Sequence, residues 1–207
     1  MSTSFDRLGA FGRFALVSVA AASLAGCGIN SVPTAEEAAK EKWANVQAAF
    51  QARANLIPNL AAVAKGAAAQ EKGILTGVVE ARAKATSIQL NPGDLTDPAK
   101  MKAYQDAQNQ LSGSLGGFGR LLANVEAYPT LKSIDNYQML QSQLEGAENK
   151  VRIAVLDYNE AVRNYNTTIR TFPDAIGAKV IYGAKPMVPY QATTPGAEAA
   201  PSLEGKL

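Results

Sequence analysis

One cysteine, Cys27, and no histidine stand in this chain of 207 residues. These two counts remove most of the usual catalytic devices. No imidazole is present to serve as a base, to complete a Ser-His-Asp or Cys-His pair, or to bind a metal. A single thiol makes neither an internal disulfide nor a thiolate zinc site. No cofactor or metal is expected, and no catalytic set emerges. What remains is a group of polar residues on otherwise apolar helix faces. "RANLIPNL" places Arg53, Asn55 and Asn59 around Pro58, and Glu71 follows on the face of Arg53. Arg53 and Glu71 lie roughly 27 Å apart along a straight helix, so each needs a partner from another helix. "LEGAENKVR" offers Glu145, Glu148, Asn149 and Arg152. Such residues could form an interhelical network that fixes register, or a polar groove that grips a ligand or partner. An enzymatic reading would need Glu71, Glu145 or Glu148 paired as carboxylates about 5 to 9 Å apart. "YNEAVRNYN" sets Tyr158 and Tyr165 one heptad apart, each before an asparagine. They read as core tyrosines with satisfied hydroxyls.

The elements that would carry these residues begin after an N-terminal leader. Arg7 and Arg13 precede the apolar run "FALVSVAAASLAG", the pattern of a secretory signal peptide over residues 1–26. That run is shorter than the roughly 20 residues that span a bilayer. "LAGC", Leu24 to Cys27, resembles the lipobox of bacterial lipoproteins. The resemblance implies a diacylglyceryl group on the Cys27 thiol, cleavage just before it, and a further acyl chain such as palmitate on the new amine. Several chains together supply the insertion signals that stable anchoring requires. Gly28 in place of Asp then implies the outer membrane in a Gram-negative cell, with the protein on the periplasmic face. Ordinary cleavage after "SLA" is the competing reading, and an uncleaved anchor is another.

Residues 27–33 form a short linker, and residues 34–182 an all-α domain. Thr34 with Glu37 matches a capping box at the start of the first helix. From Trp43 a 3-4 spacing runs through Val46, Phe50, Arg53, Ile57, Leu60, Ala64, Ala67, Glu71, Ile74, Val78, Ala81, Ala85 and Ile88 without a break in phase. This predicts one first helix of some 55 residues, about 80 Å long, kinked at Pro58. Asp97 and Pro98 open a second helix, with the stripe Met101, Tyr104, Gln108, Leu111, Leu115, Phe118, Leu122, Val125. "AYPT" ends it. A third carries Tyr137, Leu140, Leu144, Ala147, Val151, Ala154, Tyr158, Ala161 and Tyr165 on one face, and a short helix follows Pro173. The tail, residues 183–207, is Pro-punctuated and poor in bulky apolar residues, and is expected to be disordered.

Taken together, "RANLIPNLAAVAKG", "AYPTLKS", "LQSQLEGAENKVR", "YNEAVRNYNTTIRTFP" and "IYGAKP" resemble the LemA family, in family order over nearly the whole mature chain. The resemblance implies a membrane-tethered, up-and-down antiparallel helical bundle, here three long helices plus a short C-terminal one. It implies no enzymatic activity. The chain departs from the family at Asn55, where Asp is usual, and at "AAAQE", where Tyr and His are usual. Any proton-transfer or metal role of those residues elsewhere cannot operate here.

The net charge of +2 is interspersed along the chain. That disfavours nucleic acid as a partner. The expected function is a lipid-anchored, non-catalytic interaction or scaffold module of the cell envelope. Its partners would be the membrane, through the anchor, and an envelope protein, with homo-oligomers allowed. A helical binder of an amphipathic ligand is the alternative, and a carboxylate-dependent envelope hydrolase a more distant one.

Overall fold

The computed structural model describes residues 30–67, 72–123 and 136–191. Cys27 with its leader, Glu71, "AYPT" and the chain after residue 191 lie outside the described residues. The described residues are all-α, without a strand among them. The long helices are α1 (Ser31–Ala67), α2 (Lys72–Ser87), α3 (Pro98–Ala123) and α4 (Asn136–Thr168), and the short α5 (Asp174–Gly177) runs into a π-helical turn over Ala178–Tyr182. They divide between two compact units: one within Met1–Glu41 and Glu160–Met187, the other within Lys42–Asn159 and Val188–Leu207.

The second unit is a four-helix bundle, which corrects the expectation of three long helices. Arg82 Nε of α2 donates to the carbonyl of Ala54 on α1 at 2.9 Å. Along a single straight helix those residues would be about 42 Å apart, so α1 and α2 must fold back as an antiparallel hairpin. Gln47 of α1 donates to Leu90 O just beyond α2, in the same antiparallel register. The other neighbours follow from three more contacts. Trp43 meets Tyr104, and Arg53 meets Gln108 and Ser112, so α1 and α3 run parallel. Trp43 also meets Tyr158 and Arg53 meets Glu148, so α4 runs antiparallel to α1. The order is up, down, up, down.

Pro58 sits inside α1, which continues through it. Proline has no N–H, so the Ala54 carbonyl loses its intrahelical donor. Arg82 supplies the missing donor from the neighbouring helix. A sequence defect thereby becomes a docking point for α2. Ile57, Leu60, Val78, Ala81, Ala85, Leu111, Leu115 and Leu140 close the core beside it, all buried. Each large apolar side chain there contributes about 1.5–3 kcal/mol over an exposed one. The predicted seam therefore holds on both sides of the missed turn.

The helix starts divide between expectation and correction. Asp97 caps α3 as predicted, its Oδ1 accepting from the N–H groups of Ala99 and Lys100. Thr34 is not an N-cap: α1 begins at Ser31, and the Thr34 hydroxyl donates back to Asn30 O at 2.7 Å. Between α2 and α3, Pro92–Thr96 form a 3-10 turn that buries Leu95 completely.

In the first unit, the start of α1 and the end of α4 bury Val32, Ala39, Val162 and Tyr165 with Ala178 and Met187. Ser31 Oγ donates to Asp174 Oδ1 at 2.7 Å, which ties the first turn of α1 to the first turn of α5.

Candidate functional site

The polar centre of the second unit is Arg53, whose side chain is 1% exposed. It enters the interior because position 53 falls on the apolar seam of α1, between Phe50 and Ile57. Its Nη1 donates to Ser112 Oγ at 2.7 Å and to Glu148 Oε1 at 3.0 Å, and its Nη2 to Gln108 Oε1 at 3.0 Å. The guanidinium carbon lies 4.9 Å from the Phe50 ring centroid, within range of the ring's negative face. Gln108 passes the connection on, its Nε2 donating to Ala85 O at the end of α2. One cation thus joins α1, α3 and α4 directly, and α2 through Gln108. Among the described residues no acceptor reaches Arg53 Nε or Trp43 Nε1, both buried.

Beside this centre stands an aromatic cluster. Trp43 lies 5.3 Å from Tyr104 and 5.0 Å from Tyr158 between centroids, and Phe50 lies 5.8 Å from Tyr104 and 5.7 Å from Tyr190. Burial pushes the Tyr104 and Tyr158 hydroxyls well above the usual phenol range. Burial likewise pushes Tyr190 up to about 12, against the opposing pull of the Arg53 charge. These phenols are held neutral as packing groups, and Tyr158 also donates to Val188 O.

Tyr190 belongs to a segment expected to be disordered. That expectation is corrected over residues 185–190, which lie outside any helix or strand and are pinned by side chains. In the second unit, Tyr158 Oη donates to Val188 O at 2.9 Å. Asn159 brackets Tyr190, its Nδ2 donating to the carbonyl and its Oδ1 accepting from the N–H. Gln105 donates to Pro189 O, and the Val188 N–H donates to Leu95 O. In the first unit the same device serves Lys185 and Met187: Tyr165 donates to Lys185 O, and Asn166 brackets Met187. In each Tyr-Asn pair, the tyrosine takes one residue and the asparagine the residue two further on. Only backbone groups are read, so Met187 and Tyr190, both buried, supply the apolar fit.

Between α1, α2 and α3 lies an open groove of about 320 Å³, walled by Gln47, Gln51, Thr86, Gln89 and Gln108 around the edges of Phe50 and Tyr104. Its walls are uncharged and amide-rich. The expected apolar cavity for an amphipathic ligand is not what this groove provides. No three acidic, cysteine or histidine side chains converge as a metal site among the described residues.

The LemA family profile matches residues 42–204. The chain belongs to the LemA family. Curated relatives are "Magnetosome protein MamQ 2" and "Magnetosome protein MamQ 1" of Paramagnetospirillum magneticum (strain ATCC 700264 / AMB-1). Each is 28% identical over 158 residues, covering 70% of this chain and 58% of the relative. "Magnetosome protein MamQ" of Magnetospirillum gryphiswaldense (strain DSM 6361 / JCM 21280 / NBRC 15271 / MSR-1) is 29% identical over 159 residues, with the same two coverages. The chain therefore spans 58% of the length of these relatives.

Within this LemA-family chain, the predicted polar residues part company. Arg53 and Glu148 meet. Asn55 is exposed and accepts from Gln51 on its own helix. Asn59 is exposed, Glu145 is exposed and accepts from Gln141, and Arg152 bonds Asn149 one turn away on the surface. Those five do not join the network. Its missing members were Ser112 and Gln108, the latter already visible as the one amide in the α3 stripe. The Tyr-Asn repeat was singled out as core tyrosines with satisfied hydroxyls, which Tyr158 and Tyr165 are. The acceptors, on the chain's own C-terminal segment, could not be named from the sequence.

Proposed function

We propose that the chain is a lipid-anchored, non-catalytic helical protein of the cell envelope, acting as a membrane-tethered interaction module. The observation that carries this reading is the use to which its polar residues are put. Arg53, Glu148, Gln108 and Ser112 join helices, and the Tyr-Asn pairs hold the C-terminal segment. An ion pair engages Glu148, the only member of the suspected carboxylate set that meets the centre among the described residues. Membership of a family associated with membrane-tethered bundles supports the same reading. The "LAGC" stretch supports acylation at Cys27 as the tether, and the periplasmic face of the outer membrane as its address in a Gram-negative cell.

The bundle then works by contact. Its exposed α4 face carries Ile153 and Leu156, 47% and 58% exposed and one turn apart, as a foothold for a protein partner. Comparison of wild type with Cys27→Ala tests the tether: the wild type floats with membranes and enters the detergent phase, and the variant loses both properties. Crosslinking in intact cells, followed by mass spectrometry, should capture one reproducible partner, lost on Leu156→Glu. Equal partitioning of the two forms would remove the anchor, and absence of any reproducible crosslink would remove the interaction role.

A further inference from the structure

The end of the first unit is built inside out. Over Phe172–Ile181 the small residues Gly177 and Ala178 are buried, while Phe172, Ile176, Val180 and Ile181 are 77%, 59%, 77% and 56% exposed. A helix turned toward water does the reverse, placing its large apolar side chains against the core. Phe172, Ile176 and Val180 recur at every fourth position in the sequence, a row that starts just ahead of α5 and passes through it into the π-helical turn. Arg170, Lys179 and Lys185, all exposed, accompany that row in sequence, and Asp174 is the one carboxylate within residues 170–185; Glu36, Glu37, Glu41 and Glu160 stand elsewhere in the same unit. Asp174 is the residue that accepts from Ser31 at the start of α1. Ser31 stands four positions after Cys27, a reach of at most about 14 Å.

We propose that this row is a bilayer-docking surface, inserted among the headgroups and upper acyl chains of an anionic phospholipid membrane. The inference deepens the tethering reading and rests on it for the placement of Cys27. Two features select the occupant. The short reach from the Ser31–Asp174 bond to the cysteine holds the row against whatever surface the N-terminus is fixed to. The accompanying cations match anionic headgroups, and an apolar row with basic neighbours is the make-up of an interfacial element. A peripheral row of this kind adds orientation to a tether that alone would leave the domain free to tumble.

The test uses the full chain on vesicles of phosphatidylethanolamine and phosphatidylglycerol with brominated acyl chains. Val180→Trp and Ile153→Trp are compared, both at exposed positions, over the background of the buried Trp43. Flotation reads the tether separately. The expected result is loss of emission from Val180→Trp on brominated vesicles, none from Ile153→Trp, and a smaller loss when phosphatidylcholine replaces phosphatidylglycerol. A floating chain whose Val180→Trp emission is untouched by bromine overturns the docking surface and leaves the tether standing. A blue-shifted Val180→Trp emission that vesicles do not change means the row is covered by the chain's own N-terminus or by a second copy, and also overturns it. A chain that does not float overturns both.

Discussion

Arg53 and Glu148 form one ion pair with two very different ends. The Arg53 side chain is 1% exposed and that of Glu148 is 42% exposed. Glu148→Ala strands a buried guanidinium without its counter-ion, a loss of about 3–5 kcal/mol. Arg53→Met removes the charge with little change in length. Glu148 then turns into water, Ser112 is exposed enough to do the same, and the buried Gln108 Oε1 loses its donor. One orphaned buried acceptor costs about 1–3 kcal/mol, and the better apolar fit of Met offsets part of it. The acidic, exposed partner is therefore the more damaging one to remove. In the double variant the stranded charge is gone, so its stability should match Arg53→Met alone. Urea unfolding followed by Trp43, the only tryptophan, reports on the second unit directly. Equal losses, or a larger loss in Arg53→Met, would refute the claim that burial of the guanidinium governs this site.

Three further outcomes follow from the same contacts. Pro58→Ala restores an N–H to Ala54 O and should stabilise the chain by about 1–3 kcal/mol; Arg82→Met should cost about 1 kcal/mol in wild type and less than half of that in the Pro58→Ala background. Additive losses in that double-variant cycle would mean Arg82 does not stand in for the missing amide. Asn159→Ala removes both brackets on Tyr190, with an expected loss of about 1–3 kcal/mol and faster amide exchange at Tyr190; unchanged exchange there would contradict the pinning. Tyr190 ionises in the unfolded chain near 10.0 and in the fold only near about 12. The folded state holds the proton longer, so its contribution is complete below pH 10 and is lost as pH rises toward 12. Alkaline titration should show that decline, reduced in Tyr190→Phe.

Period alone was enough to find the core faces of this molecule. Trp43, Val46, Phe50, Ile57, Leu60, Val78, Ala81 and Ala85 are buried where the seam put them, while Ile74 and Ile88 on the same seam are half-buried. The same regularity hid the turn between α1 and α2, because the heptad phase of α1 resumes in α2 and no proline marks the break. Gly66 and Gly73 stand on either side of the break, but two antiparallel helices that keep one phase leave it otherwise unmarked. Arg53 was legible as a misfit on an apolar face, and Glu148 as one of four partners offered by α4. Choosing among those four needed the rotation of α4 about its axis, which turned Glu145, Asn149 and Arg152 outward. The C-terminal segment was missed for a different reason. Its order comes from side chains of α3 and α4 holding its backbone, and a segment held by others carries no periodicity of its own.

The proposed lipid on Cys27 would commit the domain to work at a membrane surface. Intact mass and fragmentation of the mature N-terminal peptide, isolated from the native envelope, read this directly. The account predicts a chain beginning at Cys27, with diacylglycerol on sulfur and the mass of an additional acyl chain on the amine. A mature peptide in which that thiol is unmodified would contradict it.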